Sequence, residues 1–577
     1  MKEEETEQLK EIKPIDWKFP SPAMSYFPDG YIPRPAQIYA VDEIDKAFAA
    51  GKRVAVLEAP TGMGKSAVQK CFANAIRAVS GKTHLITSQR LLQVQYLRDW
   101  PAPEIEPLQG RSNYPCTHPE AEEGLDAANG VCRRRKKGIL RDCLTEGGVP
   151  DAVALKLPAS CHKCPYWAQL QKCTDNSISL FNFSSFLFQQ RIGRFGKRDL
   201  MIIDEAHGVE AQLMSFVSCE LTEWALSILN IKIDRDLKSK EDVVNFLRDK
   251  QVMEKIAARL DKKPGRNPED LSEDLSRAEN EALEELQAKI QTFLEFLDMT
   301  DWHVMVEEYP WRDETRRKIK CRPYYASKFA NALLFSKADR ILCVSATILN
   351  IEVWARNLGL SLDEVAFVQT RCDFPVENRP IYLEFCGNMG RKWFSPKENP
   401  DNPTQPKFVE KVTRILKRHE GQRGIIHCHS FELSKVLRNE VASPRFLFQD
   451  QFEDKDAMLA EHAKRTDSVI VAPAMTEGLD LKDDLGRFAI IAKVPWASLG
   501  DPIVKERANR DPDWYAWNTA LRWVQAAGRT IRSKTDWSYT YLLDQGFDQF
   551  LSRYRKMVPT WVLEAMRRYA PKEVRRT

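Results

Sequence analysis

The chain has 577 residues, 43% hydrophobic and 29% charged, with a formal net charge of +4. That length predicts three or four folding units, and no apolar run approaches the roughly 20 residues that a membrane-spanning helix needs. The near-balanced charge excludes a strongly basic global field, so any nucleic-acid contact must come from local basic surfaces. The N-terminus, MKEEETEQLKEIKP, lacks the basic start and apolar stretch of a secretory signal, and a cytoplasmic protein without membrane contact is expected.

Residues 1–30 read as a polar, Pro-rich arm. RVAVLEAP (53–60) is a Val-rich apolar run that predicts a buried parallel strand, and SAVQKCFANAIRAV (66–79) has the apolar spacing of a helix. The turn between them has the composition of a phosphate loop. Gly62 and Gly64, with Thr61 beside them, let backbone approach an anion at a helix N-terminus; Lys65 is placed to reach the β- and γ-phosphates, and Ser66 to ligate Mg²⁺. Ala59 stands where the general GxxxxGK[ST] pattern has its first glycine.

Six of the 13 cysteines follow in one stretch: Cys116, Cys132, Cys143, Cys161, Cys164 and Cys173. In a cytosolic chain such clustering points to metal or cluster ligation before disulfides. Five consecutive cations, Arg133 to Lys137, read as a solvated loop or a phosphate contact.

LMIIDEAH (200–207) predicts a strand ending in two carboxylates. Alone, the pair could also be surface charge. Beside a phosphate loop, Asp204 is the group to hold Mg²⁺ and Glu205 the group to orient and deprotonate an attacking water. Further along, residues 271–298 predict an amphipathic helix with Leu271, Leu275, Ala282, Leu286, Ile290, Phe293 and Leu297 on one stripe. FSPKENPDNPTQPKF (394–408) reads as a Pro-rich surface excursion. QAAGRTIRS (525–533) reads as helical; Gln525 precedes Arg529 and Arg532, which share a face and suit γ-phosphate charge supplied from a second domain.

In this order the motifs resemble superfamily 2 helicases, and within them the iron–sulfur XPD/DinG branch, over residues 31 to 550 or so. The resemblance makes RPAQ the adenine-side segment with Gln37 as reader, TSQRLLQVQ (87–95) a DNA-contacting motif, and CVSATI (343–348) the motif coupling hydrolysis to DNA movement. RGIIHCHS (423–430) is similar to the start of the second motor domain, and TEGLDL (476–481), with Gly478 and Asp480, to the motif facing nucleotide and DNA. GRSNYPC (110–116) and CPYW (164–167) resemble the segment in which four cysteines hold a [4Fe–4S] cluster. Cys116, Cys132, Cys161 and Cys164 are the implied ligands, with Cys143 as alternate and Cys173 left out. Spacing leaves Zn²⁺ open as well, because Cys161-x-x-Cys164 is also a zinc-type pair. NFSSF (182–186) departs from relatives that carry Asn-His there.

The resemblance implies an α/β chain of two RecA-like motor domains with an inserted iron–sulfur cluster domain and a helical arch domain. Motor 1 would span 31–105, 175–215 and 322–350, the cluster domain 106–174, the arch 216–321 and motor 2 351–577. It further implies an ATP-dependent DNA helicase using ATP and Mg²⁺. Such a helicase would translocate 5′ to 3′ on single-stranded DNA, unwind forked or overhang duplexes in repair or replication, and work as a monomer on nucleoid or viral DNA. The alternative is a DNA-stimulated ATPase that remodels protein–nucleic acid complexes without processive unwinding. An N-terminal exonuclease is not expected, because the segment before Arg34 is far too short for a domain.

Overall fold

A computed structural model of the chain describes residues 22–88, 90–117, 124–128, 164–191, 193–261, 277–312, 314–394, 399–401, 404–473, 481–528, 530–531, 533–571 and 573–575. Helix α1 (Pro35–Ala49) leads into β1 (Val54–Glu58), α2 (Lys65–Ala78), β2 (Thr83–Thr87), α3 (Arg90–Asp99) and β3 (Glu106–Leu108). After the cysteine region come α4 (Pro165–Asp175), β4 (Ile178–Asn182), β5 (Arg198–Asp204) and α5 (Val209–Val217). A third unit then contributes β6 (Cys219–Thr222), α6 (Arg277–Glu295), β7 (Trp302–Trp311) and β8 (Glu314–Pro323), before β9 (Ala338–Ser345) and β10 (Val365–Gln369).

The first sheet has the order β10-β1-β9-β5-β2-β4-β3, and every pairing is parallel. All five residues of β1 are buried, as a strand covered on both faces requires. Because the strands run the same way, the carboxyl ends of β1, β9 and β5 lie side by side along one edge, where ligands of open α/β sheets bind.

The second sheet is built from β11 (Ile381–Gly387), β12 (Gly424–His427), β13 (Phe446–Phe448), β14 (Val469–Ala472), β15 (Phe488–Ile491), β16 (Tyr539–Asp544) and β17 (Met566–Arg567). Its order is β13-β14-β12-β15-β16-β11-β17, again with parallel pairings throughout. Two seven-stranded parallel sheets are the RecA-like pair that the motifs imply. Helices α7 (Pro502–Arg510) and α8 (Pro512–Ala527) link β15 to β16 and pack toward the first sheet's side of the molecule.

Three details differ from the sequence reading. The expected boundary at 350/351 falls inside the span of the first sheet: β10 pairs with β1, from Val54 with Val365 to Glu58 with Gln369. It covers an edge of β1 that would otherwise be open. The connection between the sheets therefore runs through residues 370–380. The expected helical arch also contains a three-stranded antiparallel sheet, β6-β8-β7. Its charged strands pair across the ladder, with Lys318 meeting Glu220 at 3.1 Å and Glu307 at 3.3 Å. The predicted stripe holds where it is described: Leu286, Ile290 and Phe293 of α6 are buried against Leu221, Ile319 and Cys321, while Leu271 and Leu275 lie outside the described residues. Last, α8 ends at Ala527 with Gly528 as its cap, and Thr530 and Ile531 are outside any helix. Arg529 and Arg532, whose shared face the sequence reading expects, lie outside the described residues.

Candidate nucleotide site between the two sheets

The phosphate loop joins β1 to α2. Gly62 and Gly64 have φ of +82° and +88°, a region that favours glycine. At Gly64 a Cβ would also overlap the Gln37 amide nitrogen. Gln37, buried at the start of α1, accepts the Arg34 N–H at 2.8 Å and donates to the Gly64 carbonyl at 3.2 Å. Arg34 itself donates to the Gly62 carbonyl at 2.8 Å. The Arg34–Gln37 pair therefore braces the loop. Lys65 Nζ donates to the Ala59 carbonyl at 3.2 Å, which keeps the ammonium over the loop.

Asp204 ends β5, two strands from β1. Its Oδ1 accepts from Gln69 Nε2 at 3.1 Å and from the Glu205 N–H at 3.0 Å, and its Oδ2 from the Tyr96 hydroxyl at 3.2 Å. Burial, followed by the charge of Glu205, pushes the Asp204 carboxyl up to about 6, against a pull downward from Lys65. A divalent cation would reverse that balance. The all-oxygen pair of Ser66 hydroxyl and Asp204 carboxylate suits Mg²⁺, and both line one cavity with Lys65 and Glu205. Glu205 has φ +54°, a strained backbone state for a non-glycine residue.

The cavity has a volume of about 590 Å³ and lies between the sheets. Thr61, Gly62, Gly64, Lys65, Ser66, Asp204 and Glu205 form one wall; Lys482, Gln525, Gly528 and Ile531 face them from the half of the chain that carries the second sheet. The neighbours Arg529 and Arg532, like Gly478 and Asp480, lie outside the described residues.

A hydrogen-bonded path through the loop after β9 joins the walls. Glu58 accepts the N–H groups of Ile348 and Leu349, at 2.5 Å each, and Gln369 Nε2 donates to its other oxygen at 3.0 Å. His207 Nδ1 sits 3.0 Å from Ser345 Oγ. From α8, Gln525 Nε2 donates to Thr347 Oγ1 at 3.2 Å and Trp517 Nε1 to the Ile348 carbonyl at 2.7 Å. Motif reading left Glu58, Gln69, Tyr96 and Trp517 unassigned. Glu58 had a signal, a lone carboxylate at the end of an apolar strand; Gln69, one turn beyond Lys65 on α2, had a weaker one.

In the cysteine region, Cys116 and Cys164 are half-buried, whereas Cys132, Cys143 and Cys161 lie outside the described residues. Tyr114 and Tyr166 meet with ring centroids 5.7 Å apart, so the segments carrying Cys116 and Cys164 adjoin. Cys173 is instead core: it is fully buried on α4, donates to the Glu106 carbonyl at 3.5 Å, and burial pushes its thiol up to about 12.

Residues 410–565 match the helicase C-terminal domain family. An XPD structure in the apo form is 13% identical with a TM-score of 0.54, covering 90% of this chain and 97% of that one. Xpd4 of S. tokodaii is likewise 13% identical, with a TM-score of 0.55 over 93% of this chain and 100% of that one. No curated protein sequence matches. Residues 410–565 thus carry a helicase C-terminal domain, and the chain shares the fold of the XPD structures. No helix among the described residues is long and apolar enough to cross a membrane.

Proposed function

We propose that the protein is an ATP-dependent DNA helicase that translocates 5′ to 3′ on single-stranded DNA and unwinds forked or overhang duplexes. The observation that carries the reading is the cavity with phosphate loop and paired carboxylates on one wall and α8 of the second motor on the other. Lys65 neutralises the β- and γ-phosphates, Gln37 stands on the adenine side of the loop, and Glu205 orients and deprotonates the attacking water. Ser66 and Asp204 hold Mg²⁺, which supplies charge neutralisation at the phosphates. Arg529 and Arg532 stabilise γ-phosphate charge from the second motor, with Gly478 and Asp480 beside them.

Nucleotide then favours the closed cleft. The Gln525–Thr347 and Trp517–Ile348 bonds carry closure and release between the motors, and the strand moves with them. A grip on phosphates and bases makes DNA binding sequence-tolerant and salt-dependent. The adjoining segments of Cys116 and Cys164 support a shared thiolate site, completed by Cys132 and Cys161, that takes a [4Fe–4S] cluster; Zn²⁺ is the other occupant that thiolates of this kind accept.

The test is ATP hydrolysis with and without single-stranded DNA, and strand release from duplexes bearing a 5′ or a 3′ overhang, for the parent and for Lys65→Ala. DNA-stimulated hydrolysis and release from the 5′ overhang, both lost in Lys65→Ala, are expected. Stimulated hydrolysis with no strand release from any substrate would overturn the helicase reading in favour of a remodelling ATPase.

A further inference from the structure

We propose that Tyr96 and Gln69 are positioning residues for the divalent cation of the nucleotide site. This rests on the nucleotide-site reading above.

Both oxygens of Asp204 are held by these two side chains, Oδ1 by Gln69 Nε2 at 3.1 Å and Oδ2 by the Tyr96 hydroxyl at 3.2 Å. The Tyr96 hydroxyl also touches Gln69 Oε1, and Tyr96 lines the same cavity as Ser66 and Asp204. Tyr96 and Gln69 therefore tie the carboxylate at the end of β5 to α2, the helix that also carries Ser66. All three partners are shielded from water, with exposures of 4% for Tyr96, 1% for Gln69 and 7% for Asp204.

A phenol has one proton to donate. Tyr96 has two acceptors in reach, Gln69 Oε1 and Asp204 Oδ2. Donation to Asp204 fixes the carboxylate's orientation; donation to Gln69 leaves one carboxylate oxygen free.

The probe is Mn²⁺, followed by electron paramagnetic resonance in the presence of ADP, for the parent, Tyr96→Phe and Gln69→Leu. Tyr96→Phe keeps the ring that packs on Trp100. Both variants are expected to bind Mn²⁺ roughly 10–100-fold more weakly, with ADP affinity in excess chelator unchanged. Parental Mn²⁺ affinity in Tyr96→Phe would overturn the positioning role. A parent that binds no Mn²⁺ with ADP would instead overturn the nucleotide-site reading itself.

Discussion

The carboxylate of Glu58 accepts the backbone N–H of Leu349 at 2.5 Å, and so pins a residue whose φ is +66°. The strand that launches the phosphate loop thereby fixes the loop that α8 of the second motor contacts. Glu58→Ala removes the acceptor for two buried amides, at a cost of about 1–3 kcal/mol for each group left unsatisfied. Urea unfolding should show this loss. Strand release per ATP hydrolysed should fall more than hydrolysis does, and Glu58→Gln, which keeps one accepting oxygen, should fall between.

Gly64→Ala should weaken nucleotide binding for two separable reasons. The left-handed φ of +88° costs an L-residue about 1–2 kcal/mol, and the new methyl meets Gln37. Adding Gln37→Ala relieves the overlap but not the backbone strain. Nucleotide titration should therefore show Gly64→Ala costing less affinity in the Gln37→Ala background than in the parent.

Glu210 of α5 and Arg507 of α7 form a buried ion pair at 2.6 Å, with Trp514 Nε1 donating to Glu210 at 3.3 Å and the Arg507 guanidinium 3.8 Å from the Trp514 ring centre. Arg507→Met leaves the carboxylate buried and unpaired, a loss of about 3–5 kcal/mol, and Arg507→Met with Glu210→Leu should regain most of it. Burial pushes the Glu210 carboxyl up while Arg507 pulls it down. With Arg507 gone the folded protein holds the proton more tightly than the unfolded chain, so the deficit of Arg507→Met should shrink as pH falls. A chemical-unfolding series across acidic pH measures this.

Lys70, 1% exposed at its side chain, pairs with Glu104 at 2.5 Å. Burial is the largest influence and pushes its ammonium down to about 8 from 10.5. Between those values the unfolded chain binds more protons, so stability rises with pH in that window. Lys70→Met lacks that rise, and any advantage it holds at neutral pH should narrow as pH passes from 8 to 10.5, read from thermal midpoints of the two proteins.

Cys116→Ser and Cys164→Ser should each lower the bound metal and sulfide per chain. Cys173→Ala should leave both unchanged and lower stability by about 1 kcal/mol through a small core cavity. Anaerobic purification with iron, zinc and sulfide analysis checks all three and separates the two candidate occupants.

The sequence alone carried the nucleotide chemistry, because a phosphate loop is a local device. Gly62, Gly64, Lys65 and Ser66 act within one turn, and the apolar runs of β1 and β5 announce strands that must be covered on both faces. Tertiary structure alone decided what lies between those strands. β9 is inserted between β1 and β5 by pairings that span more than a hundred residues, and this brings Glu58 to Leu349 and Ser345 to His207. The ring of Tyr96, Gln69 and Asp204 likewise exists only where α2, α3 and β5 converge. The membership of β10 in the first sheet and the hairpin of β7 and β8 also escaped sequence reading, because strand partners are chosen by register and edge cover between distant segments. No residue type or spacing within either segment encodes that choice.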